Sequence, residues 1–524
     1  MVLTRRELFR LGMLTGGTIL LDGWGGVGSP APAAQAASAA TGGPKRGGQL
    51  KVGMSGDLAI FEPTVQLQPS IPLLFNLFDT PTQYDKQMRP QPYLAASWEL
   101  ASDGQSVKMN LRRGVKFHTG RELTAEDVNF SLKRAQDPKV GALYKFMADK
   151  VTVAEAPDPY TVLWRFKSAN PGVFDLMSKL HVVDKENIDK ADFTKRGVGS
   201  GPFVFARFAA NDHVLLKRNP NYWRQGLPYL DEVLIRMFPD PQAAVLSLEA
   251  GAIDVLSFMP IVDAARLQNS AKIKVSQGPV RAVYDILMTT KHKPFSEKKV
   301  RQAVNNTVNR EQYWKSFFGG FGDWTSIPFP SQSAAYFADL AKSVKPNPEK
   351  AKQLLAEAGY PNGFETTYTT HSPATYGEAT DLIADFLSKV GIKVTIKPME
   401  YGAWLSTVAS GAKYDGMSIS TQWTILDPDL TMWGFYYPGQ ATNISCVNDP
   451  KLNAMLEEQR RLMDFKERKK VIDEIQRYLT VQNYRISAPY PYGHTLVQPW
   501  VKGYYPKVWG DSGRIRELMW LDKK

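Results

Sequence analysis

Asp427 and Asp429, on either side of Pro428, are the paired carboxylates in this 524-residue chain that could divide acid and base work between them. The Asp-Pro-Asp run reads more simply as a turn. Six histidines, His118, His181, His213, His292, His371 and His494, are dispersed, and none has the spacing of a metal pair. HExxH, CxxC, a nucleophile elbow and a phosphate-binding GxxxxGK[ST] do not occur. Gly23, Gly25 and Gly28 match GxGxxG but follow no strand. The residues therefore predict neither a catalytic constellation nor a bound cofactor or metal.

The elements that would position a binding site are legible from local pattern. Trp98 to Leu100, the Asp103-Gly104 turn and then Val107, Met109 and Leu111 alternating with polar residues predict a half-buried hairpin. Arg113-Gly114 turns the chain into Val115 and Phe117. Thr124, three residues before Asp127, forms a capping box ahead of Val128, Ser131, Leu132 and Ala135 at helical spacing. From Asn347 the signals are denser: Asn347 caps, Pro348 suits the first helical position, Ala351, Leu354, Leu355 and Ala358 form one face, and Gly359 supplies the left-handed stop.

Several of these motifs resemble the peptide and nickel class, family 5, of extracytoplasmic solute-binding proteins, the receptors of ATP-binding-cassette importers. The resemblance is carried by YDKQMRPQPYLAASWELASDGQSVKMNLRRGVKFHTGRELTAEDVNFSLKR at Tyr84 to Arg134. KRNPNYW at Lys217 to Trp223, PFSEKKVRQAVNNTVNRE at Pro294 to Glu311, NPEKAKQLLAEAGYPNGF at Asn347 to Phe364 and LDPD at Leu426 to Asp429 follow in the family's order. It implies an α/β fold, periplasmic binding protein type II, with two hinged lobes and a third domain inserted in the first lobe. Mapped through the motifs, lobe I takes residues 46–82, 198–282 and 486–524, the inserted domain 83–197 and lobe II 283–485. Crossings near Pro279 to Asp285 and Ile486 to Tyr492 would form the hinge.

The same resemblance implies a ligand cleft between the lobes, with Phe61, His181 and Tyr284 as candidate contacts. Tyr401, Trp404, Trp423, Thr424 and Asp427 join them from lobe II. Trp423 leads this set, because an aromatic face gives broad apolar contact at little entropic cost. Relatives that bind free peptides hold the peptide ammonium with an Asp four residues before the Pro of the DP or EP turn. Counting back from Pro428 gives Thr424. A neutral hydroxyl cannot supply the charge-assisted pair that an ammonium prefers. Either another acid such as Asp427 takes over, or the ligand is not a free-amino peptide. Thr289, where the family often has Asn, is a second departure.

The ends and the composition point outside the cytoplasm. Arg5-Arg6 in TRRELFR, a weakly apolar run and the small residues APAAQAASAA make residues 1–40 a cleavable signal of twin-arginine type. The usual pattern has Phe then Leu where Leu8 and Phe9 stand. Leu11 to Leu21 is too short to span a bilayer, which takes about 20 residues. A lipoprotein needs Cys at its new terminus, and the only Cys is Cys446, so a freely diffusing periplasmic protein is predicted. The formal charge of +12 is spread among acids, with no long basic run, and does not indicate nucleic acid.

Together these readings predict a periplasmic, monomeric receptor that captures a peptide-like or other small organic solute and delivers it to a permease driven by ATPase subunits. An oligosaccharide, opine or nickel-chelate receptor stands as the alternative. An exported enzyme or a periplasmic chaperone is the rival of a different class.

Overall fold

The computed structural model describes residues 43–523 apart from 56–60, 67–69, 86–88, 143, 189–196, 258–260, 279, 281, 372, 410–412, 424–426, 441 and 507–515. The signal predicted over residues 1–40 lies outside the described residues.

Two large sheets and one smaller sheet carry the architecture. The first sheet has seven strands in the order Lys274–Gly278, Gly493–Val497, Val255–Ser257, Gln49–Ser55, Glu232–Phe238, His213–Arg218 and Phe203–Ala209. Strand Gln49–Ser55 runs parallel to both of its neighbours. Its Leu50, Val52 and Met54 are fully buried, as expected of a central strand covered by other elements.

The second sheet has five strands in the order Ile392–Met399, Phe364–His371, Met417–Trp423, Ala282–Met288 and Arg485–Ser487. The first three are mutually parallel, and Ala282–Met288 is antiparallel to both of its neighbours. Asp285 is buried in the middle of that strand, and Arg485 on the adjacent strand answers it, Nε to Oδ2 2.5 Å. Neither side chain reaches solvent. Such a pair adds little over an apolar substitute, but removing one member strands a buried charge.

The predicted hairpin is the start of the smaller, four-stranded sheet. Ala95–Leu100 pairs with Ser106–Leu111 in the register Trp98 to Met109 and Leu100 to Val107, with Val107, Met109 and Leu111 buried. Gly104 has φ +67°, a conformation an L side chain rarely adopts, and its amide donates to Ala101 O at 2.8 Å to close the turn. The capping box is present: the Thr124 amide donates to Asp127 Oδ2 at 2.9 Å, and helix Ala125–Gln136 buries Val128, Ser131, Leu132 and Ala135. Asn347 caps helix Pro348–Glu357 by accepting from the Lys350 amide at 2.9 Å. Gly359 follows that helix with φ +89°.

The chain passes between the large sheets at matching edges. Strand Lys274–Gly278 of the first sheet leads to Ala282–Met288 of the second, and Arg485–Ser487 returns to Gly493–Val497. The Ala488 amide donates to Tyr284 O at 2.8 Å, tying the two passages together. From the strand directions, both passages lie at the carboxyl ends of the parallel strands in each sheet. Ser55, Phe238 and Ser257 therefore end at the edge that adjoins the one where His371, Met399 and Trp423 end.

Candidate functional site

Ligands of open α/β sheets bind outside the carboxyl ends of the strands, and here two such edges adjoin across the chain passages. The second-sheet edge gathers most of the predicted contacts. His371 closes strand Phe364–His371, Tyr401 and Trp404 follow strand Ile392–Met399, and Trp423 closes strand Met417–Trp423 opposite Ala282. Tyr284 sits two residues along, in register with Thr421.

Trp404 is 5% exposed; its indole N–H donates to Ser418 Oγ at 3.1 Å, and its ring centroid lies 4.2 Å from that of His371. Burial pushes the His371 imidazole down to about 4, which leaves it neutral at pH 7. Tyr284 is 8% exposed and meets Phe318 edge-on at 5.2 Å. Tyr401 and Trp423 are placed by their backbone, the first opening the short helix Tyr401–Trp404 and the second ending its strand. Thr424 lies outside the described residues.

Phe61 and His181 come from the other side. Phe61 is fully buried, edge-on to Phe205 and Phe208 at 5.6 and 5.1 Å. His181 is also buried; its Nδ1 lies 3.0 Å from Gln66 Nε2 and 3.2 Å from Pro63 O, and its ring is 4.6 Å from that of Phe75. Phe61, His181, Tyr284 and Trp404 are thus embedded in protein, packed against the neighbours named.

Asp427 differs from the turn that its sequence suggests. It is the N-cap of helix Pro428–Tyr436, accepting from the Asp429 amide at 2.8 Å, with Pro428 in the first turn. An Asp followed by Pro at the head of an apolar run is a helix-start signal. Both of its carboxylate oxygens are also held by Arg468, Nη1 to Oδ2 at 2.8 Å and Nη2 to Oδ1 at 2.6 Å. Its own amide donates to Asp175 Oδ2 at 3.1 Å.

Asp429 is fully buried and takes Lys150 Nζ at 2.9 Å. Desolvation opposes its charge, but Lys150, Arg460 and Arg468 overcome that and hold its carboxyl well below the usual range. Asp175 shows the reverse: burial first, then the Asp427 charge, pushes it up to about 7. Lys150, Asp175, Arg460 and Arg468 escaped the sequence reading, because no local spacing connects residues 31 to 279 positions apart. Among the described residues no cluster of three His, Cys, Asp or Glu is placed to hold a metal ion, and no helix is long and apolar enough to cross a membrane.

Comparison with known proteins joins this geometry to a function. The model for bacterial extracellular solute-binding proteins, family 5, middle region, matches residues 89–443. Heme-binding protein A of Haemophilus influenzae is 30% identical over 455 residues, which is 80% of this chain and 82% of that protein. A glutathione-binding protein of Escherichia coli is 32% identical over 360 residues, 64% of this chain and 68% of its own. Among solved structures, the periplasmic binding protein DppA of Helicobacter pylori, in complex with a peptide, superposes with a TM-score of 0.80. It is 27% identical and covers 91% of this chain and 99% of its own. The periplasmic binding protein AgaA of Agrobacterium tumefaciens, bound to agropinic acid, gives a TM-score of 0.81 at 27% identity, with 91% and 99% covered. The type II periplasmic-binding-protein fold predicted from sequence is the fold observed.

Proposed function

The chain belongs to family 5 of the bacterial extracellular solute-binding proteins, the receptors of ATP-binding-cassette importers, and from that premise we propose that it captures a peptide-like or other small organic solute without an acidic ammonium anchor at the head of helix Pro428–Tyr436. It is a binding protein and not an enzyme.

One observation carries the ligand reading: Arg468 occupies both oxygens of Asp427. Sequence left two branches, a substitute acid at Asp427 or a ligand other than a free-amino peptide, and Asp427 already spends its charge. The second branch is favoured. Amino-blocked peptides, or solutes such as opines that lack a primary ammonium, suit such a site better than simple dipeptides. The solute sits between the facing strand-end edges, with Trp423 as its apolar platform.

The lobes are 46–82 with 198–282 and 486–524, and 283–485, with 83–197 inserted. Closure bends the two passages at 279–285 and 486–492. In support, strands on either side of each passage belong to different sheets. The protein reaches the periplasm as a twin-arginine precursor, loses residues 1–40 without becoming a lipoprotein, and acts as a monomer beside its permease and ATPase subunits.

The deciding experiment is mass spectrometry of the solute released from purified, denatured protein, followed by calorimetry with that solute. Glutathione and heme, named for the two curated relatives, belong in the panel with dipeptides and agropinic acid. X-ray scattering should show compaction on saturation with the solute. Tight binding of unmodified dipeptides by the wild type would overturn the ligand reading.

A further inference from the structure

Helix Pro428–Tyr436 meets the 145–170 region along a seam that holds a half-open cavity of about 250 Å³. One water needs roughly 10–15 Å³, and pockets for drug-sized ligands begin near ~300 Å³. The space suits a small solute. No strand of either large sheet lines it; its wall includes helix Pro428–Tyr436, which follows strand Met417–Trp423.

Its walls carry more cationic donors than charged acceptors. Asp429 receives Lys150 Nζ on Oδ2 at 2.9 Å and Gln459 Nε2 on Oδ1 at 2.6 Å, with Arg460 Nε 3.1 Å from Oδ1, so both oxygens are taken. Asp149, the other acid on the wall, gives its oxygens to Lys145 at 2.6 and 2.7 Å. Lys150 retains two N–H groups and Arg460 both terminal nitrogens, on side chains only 17% exposed. Lys167 stands exposed at the rim.

Two further features make this a prepared site. Arg460 is laid over the Trp433 ring at 3.9 Å, and Trp433 stacks on Tyr437 at 3.5 Å, so the guanidinium is held in place before anything binds. Asn170 lines the cavity, is 2% exposed, and its Oδ1 is buried without a hydrogen-bond partner. A half-turn of that amide exchanges acceptor for donor. Half-buried cations with unused N–H groups match an acceptor-only partner, and charge-assisted bonds are strongest away from bulk water.

We propose that this seam cavity is a second binding site, taking a small oxyanion, carboxylate or phosphate, between Lys150, Lys167 and Asn170 on one side and Arg460 on the other. An occupant fastens the inserted region to the helix that follows strand Met417–Trp423. The inference does not depend on the identity of the solute in the interlobe cleft.

The test is calorimetry on the full mature chain at constant ionic strength, with inorganic phosphate and, separately, succinate. At least one should bind saturably, and the tighter of the two names the source. Arg460→Gln should weaken it about tenfold or more, the scale of one charged hydrogen bond. Lys167→Glu, at the exposed rim, should weaken it too and serves if Arg460→Gln fails to fold. Arg461→Gln, on a side chain 78% exposed and off the cavity wall, should not change it. Failure of both anions to saturate at millimolar concentration, or unchanged affinity in Arg460→Gln and Lys167→Glu, would overturn the proposal. So would competitive displacement by the interlobe solute.

Discussion

Arg468 grips Asp427 in a two-point fork, with N to O distances of 2.6 and 2.8 Å, so both oxygens of the carboxylate three positions along the sequence from Thr424 are already engaged. Arg468 is 2% exposed and also donates through Nε to Gln459 Oε1 at 2.9 Å. The fork joins the head of helix Pro428–Tyr436 to helix Phe465–Gln482, in which Arg468 lies.

Breaking the fork should cost more than its net worth. Arg468→Met leaves the largely buried Asp427 carboxylate unanswered and should destabilise the protein by about 3–5 kcal/mol. Adding Asp427→Asn should restore much of that loss. Urea denaturation of the single and double variants decides, and a double variant as unstable as the single would show that packing by Arg468, rather than charge, matters.

The anchor reading makes a directional claim about ligands. Thr424→Asp should improve binding of free-amino dipeptides more than that of amino-blocked analogues, since only the former gain a charge-assisted pair. Calorimetry on both series reads this directly. Equal gains for both would remove Thr424 from the ammonium position.

Trp423→Ala should weaken the natural solute by roughly 1–3 kcal/mol, the usual scale for losing a buried aromatic contact. Circular dichroism checks folding first. A folded variant with unchanged affinity would assign the indole to packing alone.

Asp175 gives a pH dependence with a defined sign. Burial and then the Asp427 charge raise its folded pKa to about 7, above the ordinary unfolded value near ~3.9. Between those values the folded state holds more protons than the unfolded one, so this group's contribution to stability falls as pH rises from about 4 through about 7. Asp175→Asn can still accept the Asp427 amide and meet the Tyr84 hydroxyl, which now donates to Oδ1 at 3.0 Å. The variant should therefore gain on the wild type between pH 5 and pH 8. A stability difference that is the same at both pH values would contradict the shift.

Export is tested at the leader. Replacing Arg5 and Arg6 together by Lys should leave uncleaved precursor in the cytoplasm, visible by immunoblot of fractionated cells. Normal export of the wild type in cells lacking the twin-arginine translocase would rule out that route.

Local signals in the sequence determined a good deal. Thr124 with Asp127, and Asn347 with Pro348 and Gly359, cap and stop their helices where the spacing puts them, because each device acts within a few residues and repeats wherever its types recur. The alternation around Gly104 fixed a hairpin for the same reason, and the order of longer motifs was enough to place the family. Asp427 was open to this reasoning too, since Asp before Pro opens a helix as readily as a turn. Tertiary structure alone decided who neutralises whom. Lys150 reaches Asp429 across 279 residues, Arg485 reaches Asp285 across 200, and Arg468 closes on Asp427. No periodicity encodes those meetings, because they depend on how strands and helices from separate stretches of chain pack. That packing decides whether a carboxylate faces a ligand or is already spoken for.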